Sequence, residues 1–158
     1  PGFEVSAGSL GHGFPIAVGM AYGKKVQRQD GHVYVLAGDG EMNEGTMWEA
    51  ALYCGSERLD NLTLIIDDNH SIDVMINIRN IQDKMRAFGF EVIIANGHDI
   101  TDMRKALLFR QSNKPVAIIA QTKRGYGSAT IMTDDAWFHR APSEEELTRL
   151  KKEVDDFE

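Results

Sequence analysis

Apolar residues gather in four short runs that are separated by longer amphipathic segments. The runs are nearly continuously apolar and rich in β-branched residues, which is typical of strands buried on both faces of a parallel sheet. They cover residues 32–38, 62–68, 90–95 and 116–123. Helical spacing of apolar residues marks segments 14–29, 45–57, 78–88 and 99–112, and a last one begins near 144. Strand alternating with helix predicts an α/β fold, with a doubly wound, mainly parallel sheet and helices on both faces.

Local motifs support these helices. Ser143 to Glu146 and Thr46 to Glu49 both fit a capping box, in which Ser or Thr is followed by Glu three residues later. Asp99 is expected to begin the helix over 99–112. The sequence has no repeats, low-complexity tracts or linkers, so residues 1–158 are expected to form one domain. A first residue other than Met suggests that this domain is incomplete at its N-terminus.

Composition narrows the possible partners. The 158 residues are 42% hydrophobic and 26% charged, as in ordinary soluble globular proteins. A net charge of −7 without a basic cluster argues against nucleic acid, and no apolar run is long enough to span a membrane. The single cysteine, Cys54, excludes an internal disulfide, fits a cytoplasmic location, and is interpreted as a buried core residue. His32 and His70 are expected at the surface.

Polar, glycine-rich segments follow each predicted strand. They read GDGEMNEG, DDNHS, ANGHD and TKRGYGS. In open parallel sheets, ligands bind beyond the carboxyl ends of the strands. This edge of the sheet is therefore where the chemistry is expected.

The Gly38-Asp39-Gly40 tripeptide is the first candidate site. Its glycines allow unusual φ values and close approach of a ligand, and Asp39 offers a hard oxygen suited to Mg²⁺ or Ca²⁺. On the tripeptide alone, a tight turn with Asp39 as a helix cap is the favoured interpretation. Asn69 lies 30 residues later, the length of one strand–helix–strand unit, so both side chains are expected at the same edge. Together they predict a cation whose remaining ligands are phosphate oxygens.

A second candidate is the glycine-rich segment SAGSLGHGFPIAVGMA, residues 6–21. It runs into a helix, whose first N–H groups can bind an anion. It is not the dinucleotide fingerprint, because no strand-like run directly precedes it and its spacing differs. Both close helix packing and ligand contact fit this segment.

These motifs together resemble the N-terminal, thiamine diphosphate-binding domain of transketolase. The similar passages are GSLGHGFPIAVGMA, GDGEMNEGTMWEAA, LDNLTLIIDDN and FHRAP, in matching order from Gly2 to about Leu150. The Gly-Asp-Gly and Asn pair also occurs in pyruvate dehydrogenase and deoxyxylulose-phosphate synthase relatives. The GSLGHG loop and the passage from WEAA to LDNL are more similar to transketolase, especially its split, two-subunit forms.

The resemblance implies roles for ten residues. Asp39, Asn69 and the backbone carbonyl of Ser71 would bind Mg²⁺. Gly38 and Gly40 would contact the diphosphate, and Gly8 and Leu10 would lie against the cofactor rings. Glu44 and Glu49 resemble an acidic pair that links two cofactor sites across a dimer interface, and His139 resembles a histidine that handles protons on the sugar. A charged first helical turn and an exposed loop histidine are the alternatives for these last three.

The activity implied is transfer of a two-carbon ketol unit from a ketose to an aldose, with sugar phosphates as substrates. A pyrimidine-binding C-terminal subunit or domain would supply the glutamate that activates the cofactor, in a dimer of heterodimers. The alternatives are a non-catalytic binding module and another thiamine diphosphate enzyme. A phosphatase of the haloacid dehalogenase class is disfavoured, because no Asp-x-Asp motif precedes Gly38.

The chain departs from the family pattern at three places. His12 stands where Gln is usual, and could place a titratable group beside the cofactor. Arg140 follows His139 where split transketolases commonly have Gly, and a cation there could recognise a phosphate or sulfonate. Within segment 70–74, the chain lacks several residues that the family has in a Gly-containing loop. Either the loop is shorter in this protein, or some of its residues are missing from this sequence.

Overall fold

The computed structural model describes residues 2–70, 76, 78–138 and 140–157. The chain divides into two compact units, one ending at Gln121 and the other beginning at Thr122. The first unit contains α1 (Gly13–Val26), β1 (Val33–Gly38), a 3₁₀ turn (Asp39–Asn43), α2 (Gly45–Ser56), β2 (Leu62–Asp68), α3 (Ile81–Ala87), β3 (Glu91–Asn96), α4 (Ile100–Leu108) and β4 (Val116–Gln121). The second contains α5 (Ala129–Met132), a 3₁₀ turn (Asp135–Phe138) and α6 (Glu144–Asp155). The expectation of a single domain over 1–158 stays a prediction.

Four parallel strands form the sheet of the first unit, in the order β1-β2-β4-β3. β2 pairs with β1 on one side and with β4 on the other, and β3 is the far edge strand. The chain therefore passes from β2 to the far edge and then returns to insert β4. That return reverses the direction of winding, which places α4 on the face opposite to α2 and α3.

Helices cover both faces of this sheet. The buried cluster on one face joins α1, α2 and α3 to the strands and includes Cys54, Met85 and Ile119. A separate buried cluster joins α4 to β3 and β4 and includes Ala106 and Ile118. The neighbours Ile118 and Ile119 belong to different clusters because successive side chains of a strand point to opposite faces. The predicted doubly wound, parallel α/β fold is confirmed.

The sulfur-containing residues of α2 and α3 are core residues, which confirms the prediction made for Cys54. Met47, Cys54 and Met85 are each fully buried. Burial raises the pKa of the Cys54 thiol to about 12, because the charged thiolate is disfavoured away from water. A thiol held protonated in this way is a packing group and not a nucleophile.

His32 is not the surface residue that the sequence suggested. Its side chain is half-buried just before β1, and Nε2 lies 2.8 Å from the Thr63 hydroxyl oxygen. The His32 ring packs against the Tyr34 ring, with 4.8 Å between the ring centroids. Burial, and then the nearby Arg110 guanidinium, lower the pKa of His32 to about 4. His70, in contrast, is exposed as expected.

Helix ends differ from the predicted ends for local reasons. The helix predicted over 78–88 begins at Ile81, because Asn80 has a left-handed backbone with φ +58°. The helix predicted over 99–112 ends at Leu108, because Phe109 is extended. Asp99 caps that helix as expected, since its carboxylate accepts from the backbone N–H groups of Thr101 and Asp102. In the part of the chain described, no helix has the length and apolar character needed to cross a bilayer.

The second unit is held together by a carboxylate of α6. Glu153 accepts from the Ser128 hydroxyl at 2.5 Å, from the Thr130 backbone N–H at 3.1 Å and from the Thr130 hydroxyl. These donors lower the pKa of Glu153 to about 2, because each of them stabilises the ionised form. Glu153 therefore ties α6 to the start of α5.

Candidate functional site

The structure brings Asp39 and Asn69 to the same edge of the sheet. Gly38, the last residue of β1, pairs with Asp67 in the parallel ladder. Asp39 follows immediately and opens the 3₁₀ turn, while Asn69 follows the end of β2. The expected convergence of these two side chains therefore rests on the register of β1 and β2.

The Asp39 carboxylate is almost completely withdrawn from solvent, with 1% of its surface exposed. Asn69 is half-buried, and its side-chain N–H group donates to the Asp67 carboxylate at 2.9 Å. This bond uses the nitrogen of the Asn69 amide and leaves its oxygen to other partners. The edge thus holds a buried carboxylate after β1 and an oriented amide after β2.

The glycines of the site border open space. A Cβ atom added to Gly8, Gly38 or Gly40 would meet no other atom within 4 Å. The expectation of unusual φ values in the tripeptide is wrong, because neither Gly38 nor Gly40 has a positive φ. Accessible backbone is therefore the feature that these glycines contribute.

The glycine-rich loop is fastened to this edge through Gly11. The backbone N–H of Gly11 donates to one oxygen of Glu41 at 2.9 Å, and the backbone N–H of Gly38 donates to the other at 3.3 Å. The Thr46 hydroxyl donates to the Gly11 carbonyl oxygen at 2.8 Å. The sequence pattern did not mark Glu41 or Thr46 as site residues, since an acidic residue and a hydroxyl near a helix start fit ordinary capping.

The capping box predicted from Thr46 to Glu49 is wrong. α2 begins at Gly45 with Glu44 at the N-cap position, and no side chain caps its N-terminus. Thr46 lies inside the helix and uses its hydroxyl on Gly11. Glu44 and Glu49 are both exposed, and their role across an interface stays a prediction.

The other loop residues of interest face solvent. Gly8 is exposed, and Leu10 has 58% of its surface exposed. The His12 ring lies within its own loop, with Nδ1 at 3.0 Å from the Leu10 carbonyl oxygen and 3.1 Å from the Ser9 hydroxyl. The His12 contacts therefore leave Gly8 and Leu10, the residues expected to lie against the cofactor rings, accessible.

In the second unit, the Arg140 guanidinium is paired with the Glu146 carboxylate and the Trp137 ring. Its two terminal nitrogens donate to the two carboxylate oxygens of Glu146, each at 2.9 Å, and its guanidinium lies 3.6 Å from the centre of the Trp137 ring. Arg140 and the Ser143 backbone N–H lower the pKa of Glu146 to about 2. Glu146 and Ser143 complete the predicted capping box of α6, which is confirmed.

Two of the predicted site residues, Ser71 and His139, lie outside the described residues, as does the segment 71–75 that bears on the expected loop. Among the residues that the structure does describe, no three His, Cys, Asp or Glu side chains are grouped so that they could hold a metal ion. A cation at the Asp39 edge would therefore need amide, backbone or ligand oxygens as well.

Comparison with known families matches residues 1–157 to the family described as transketolase, thiamine diphosphate binding domain. The chain belongs to this family. The match favours a transketolase domain over the phosphatase alternative. It also agrees with the resemblance drawn from the loop and strand-end motifs.

Individual transketolases show the same relationship. The chain is 38% identical to one of the subunits of apulose-4-phosphate transketolase from Actinobacillus succinogenes, over 99% of this chain and 59% of that protein. It is 40% identical to transketolase of Rattus norvegicus, over 85% of this chain and 22% of that protein. The crystal structure of transketolase from Campylobacter jejuni superposes with a TM-score of 0.84 at 35% identity, covering 98% of this chain and 26% of that one. The chain thus spans between a fifth and three fifths of these transketolases.

Proposed function

We propose that this chain is the diphosphate-binding half of a transketolase-type enzyme that transfers a two-carbon ketol unit from a ketose to an aldose. The observation that carries the proposal is the arrangement at the carboxyl edge of β1 and β2. There, a buried Asp39 carboxylate lies beside open backbone at Gly38 and Gly40. Membership of the transketolase family supports the same assignment.

The donor set at this edge fits a metal-bound diphosphate. Asp39, Asn69 and the backbone carbonyl of Ser71 would hold Mg²⁺, or Ca²⁺ in its place. Such a set provides too few oxygens for a six-coordinate cation, and phosphate oxygens are its usual complement. The open space at Gly38 and Gly40 allows a phosphate to approach the backbone closely.

The remaining residues would position the reactants. When bound, thiamine diphosphate supplies the carbon centre that carries the two-carbon unit between sugars. Gly8 and Leu10 would cover the cofactor rings and exclude water from them, which strengthens the electrostatic interactions inside the site. His139 would hold or move a proton on a sugar hydroxyl.

Glu44 and Glu49 would connect this site to a second one across the subunit interface. Both carboxylates are exposed on this chain, which leaves them accessible to a partner. We propose that the partner is a pyrimidine-binding C-terminal subunit or domain, assembled as a dimer of heterodimers in the cytoplasm. The relative from Actinobacillus succinogenes is itself one subunit of a transketolase, which supports a partner. Sugar phosphates of the pentose phosphate type are the proposed substrates.

Reconstitution tests this proposal directly. The chain is mixed with its pyrimidine-binding partner, thiamine diphosphate, Mg²⁺ and a panel of ketose donors and aldose acceptors, and products are identified by mass. We expect two-carbon transfer with the complete mixture and none when either protein or the cofactor is omitted.

Two other outcomes would contradict the proposal in different ways. Cofactor binding without any transfer would indicate a non-catalytic binding module. Release of carbon dioxide from a 2-oxo acid, without transfer from ketose donors, would indicate a different thiamine diphosphate enzyme.

A further inference from the structure

We propose that Glu41 and Thr46 are positioning residues that hold the glycine-rich loop, residues 8–13, against the strand end that carries Asp39. The inference rests on the proposed function, since it concerns the cofactor site of that function. It goes beyond the residues assigned above, because neither side chain is among the predicted ligands of the cofactor or the metal. Both side chains act on one backbone position, Gly11.

Gly11 is the point at which an exposed segment is attached to the first unit. Every residue from Gly2 to Leu10 is exposed, and so is His12, whereas Gly11 is buried. The loop that carries Gly8 and Leu10 therefore depends on the contacts of Gly11 for its position. A segment without buried contacts samples many conformations, and ordering it on binding costs free energy.

Glu41 fastens this point from one side. Its two carboxylate oxygens accept separately from the backbone N–H of Gly11, at 2.9 Å, and from that of Gly38, at 3.3 Å. One ionised side chain thus joins the loop to the last residue of β1, and hydrogen bonds to an ionised acceptor are stronger than neutral ones. A Gln side chain has a single acceptor oxygen, so it could satisfy only one of these two N–H groups.

Thr46 fastens the same residue from the other side. Its hydroxyl, in the first turn of α2, donates to the Gly11 carbonyl oxygen at 2.8 Å. The backbone donor and the backbone acceptor of Gly11 are therefore both bound by side chains that lie 30 and 35 positions further along the chain.

The geometry of Gly11 makes this attachment specific to glycine. Its φ is +75°, and an added Cβ would lie 2.5 Å from Glu44 Cβ and 2.6 Å from Thr46 Oγ1. The helix start can approach the loop this closely only because position 11 has no side chain. Gly11, Glu41 and Thr46 thus form one packed and hydrogen-bonded unit.

Substitutions in the full chain, assembled with its partner subunit, test the positioning role. We expect Glu41→Gln to raise the dissociation constant for thiamine diphosphate about tenfold and Thr46→Val about fivefold, because loop ordering would then oppose binding. At saturating cofactor, kcat should stay within about twofold of the wild-type value, because the reacting groups are unchanged. Thr46→Ser keeps the hydroxyl and should restore wild-type affinity. Glu57→Gln is the matched control, since the backbone oxygen of Glu57, and not its carboxylate, accepts from Lys25.

A second measurement does not depend on catalysis. Hydrogen exchange of the Gly11 amide in the cofactor-free complex should be faster in Glu41→Gln than in the wild type, while amides of β2 keep their protection.

The variant that carries both Glu41→Gln and Thr46→Val tests whether the two contacts act together. Its loss of binding free energy for thiamine diphosphate should not exceed the sum of the two single losses, and should be smaller than that sum if the contacts act as one unit.

The outcomes separate this inference from the proposed function. Wild-type affinity in both Glu41→Gln and Thr46→Val, in a wild-type complex that binds cofactor and transfers the two-carbon unit, would overturn the inference alone. Failure of the wild-type complex to bind thiamine diphosphate would overturn both. A lowered melting temperature with unchanged affinity of the folded protein would show that these contacts act on stability only, and would also overturn the inference.

Discussion

Gly38 at the end of β1 lies beside Asp67 of β2, and this pairing is what brings two distant polar side chains to one site. Asp39 comes one residue after the first, and Asn69 two residues after the second. If one of the two strands shifted by one residue along the other, all of its side chains would turn to the opposite face of the sheet. The candidate site is thus a consequence of how β1 and β2 pair.

Substitution of Asp39 tests the metal and diphosphate assignment. We expect Asp39→Ala to weaken Mg²⁺-dependent binding of thiamine diphosphate by roughly 100-fold, because the cation loses its charged protein ligand. Calorimetric titration of the assembled complex, with and without Mg²⁺, measures this. Asp30→Ala is the control, since Asp30 is exposed in the loop between α1 and β1. Equal affinities for wild type and Asp39→Ala would refute the assignment.

Two alanine substitutions in the glycine-rich loop should have opposite signatures. Gly11→Ala should lower the free energy of unfolding by about 2 kcal/mol or more, because the new Cβ overlaps Glu44 and Thr46 at a positive φ. Gly8→Ala should change stability by less than about 0.5 kcal/mol, because no atom lies within 4 Å of its Cβ position, but should weaken cofactor binding. Denaturant unfolding and calorimetry together distinguish them. A stable Gly11→Ala protein would contradict the packing described above.

Arg140 is expected to act through Glu146 and not on the substrate. Because both terminal nitrogens donate to Glu146, Arg140→Gln should change the ratio of KM values for phosphorylated and unphosphorylated ketoses by less than about twofold. Steady-state kinetics with both donors checks this. A selective loss for the phosphorylated donor would instead support recognition of a phosphate by the Arg140 guanidinium.

The same pair predicts a dependence of stability on pH. The pKa of Glu146 is lowered from 4.5 to about 2 in the folded protein. The stability that ionised Glu146 adds to the folded protein is therefore present above pH 4.5 and is lost as the pH falls toward 2. Glu146→Gln keeps the capping geometry of α6 and removes this titration. The melting temperature of Glu146→Gln should therefore fall less between pH 5 and pH 3 than that of the wild type, with pH 7 as the reference.

His32 predicts a pH dependence in a different range. Its pKa is about 4 in the folded protein and near 6.5 in the unfolded chain, so the unfolded state binds the extra proton between these values. The contribution of neutral His32 to the free energy of unfolding is present above pH 6.5 and is lost as the pH falls toward 4. It should amount to about 1–2 kcal/mol after allowance for solvent screening. Denaturant unfolding at pH 7 and pH 4.5 should show a smaller difference for His32→Gln than for the wild type.

Much of the fold and part of the site could be predicted from the sequence. Apolar runs and helical periodicity identified the strands and helices of the first unit, because burial on both faces of a parallel sheet leaves a pattern that can be read locally. The residues Asp39 and Asn69 were found because each directly follows such a run. Their roles as metal ligands, like those of Ser71 and His139, stay predictions.

The tertiary structure decided which distant groups meet. The Thr46 hydroxyl was expected to cap α2, yet it binds the Gly11 carbonyl oxygen, and Glu41 joins two backbone N–H groups from different segments. His32 was expected at the surface and is half-buried against Thr63. A local pattern records the periodicity of burial, but a hydrogen-bonding side chain selects its partner from whatever the fold brings near. That choice depends on the strand order and register, which for this protein only the three-dimensional structure revealed.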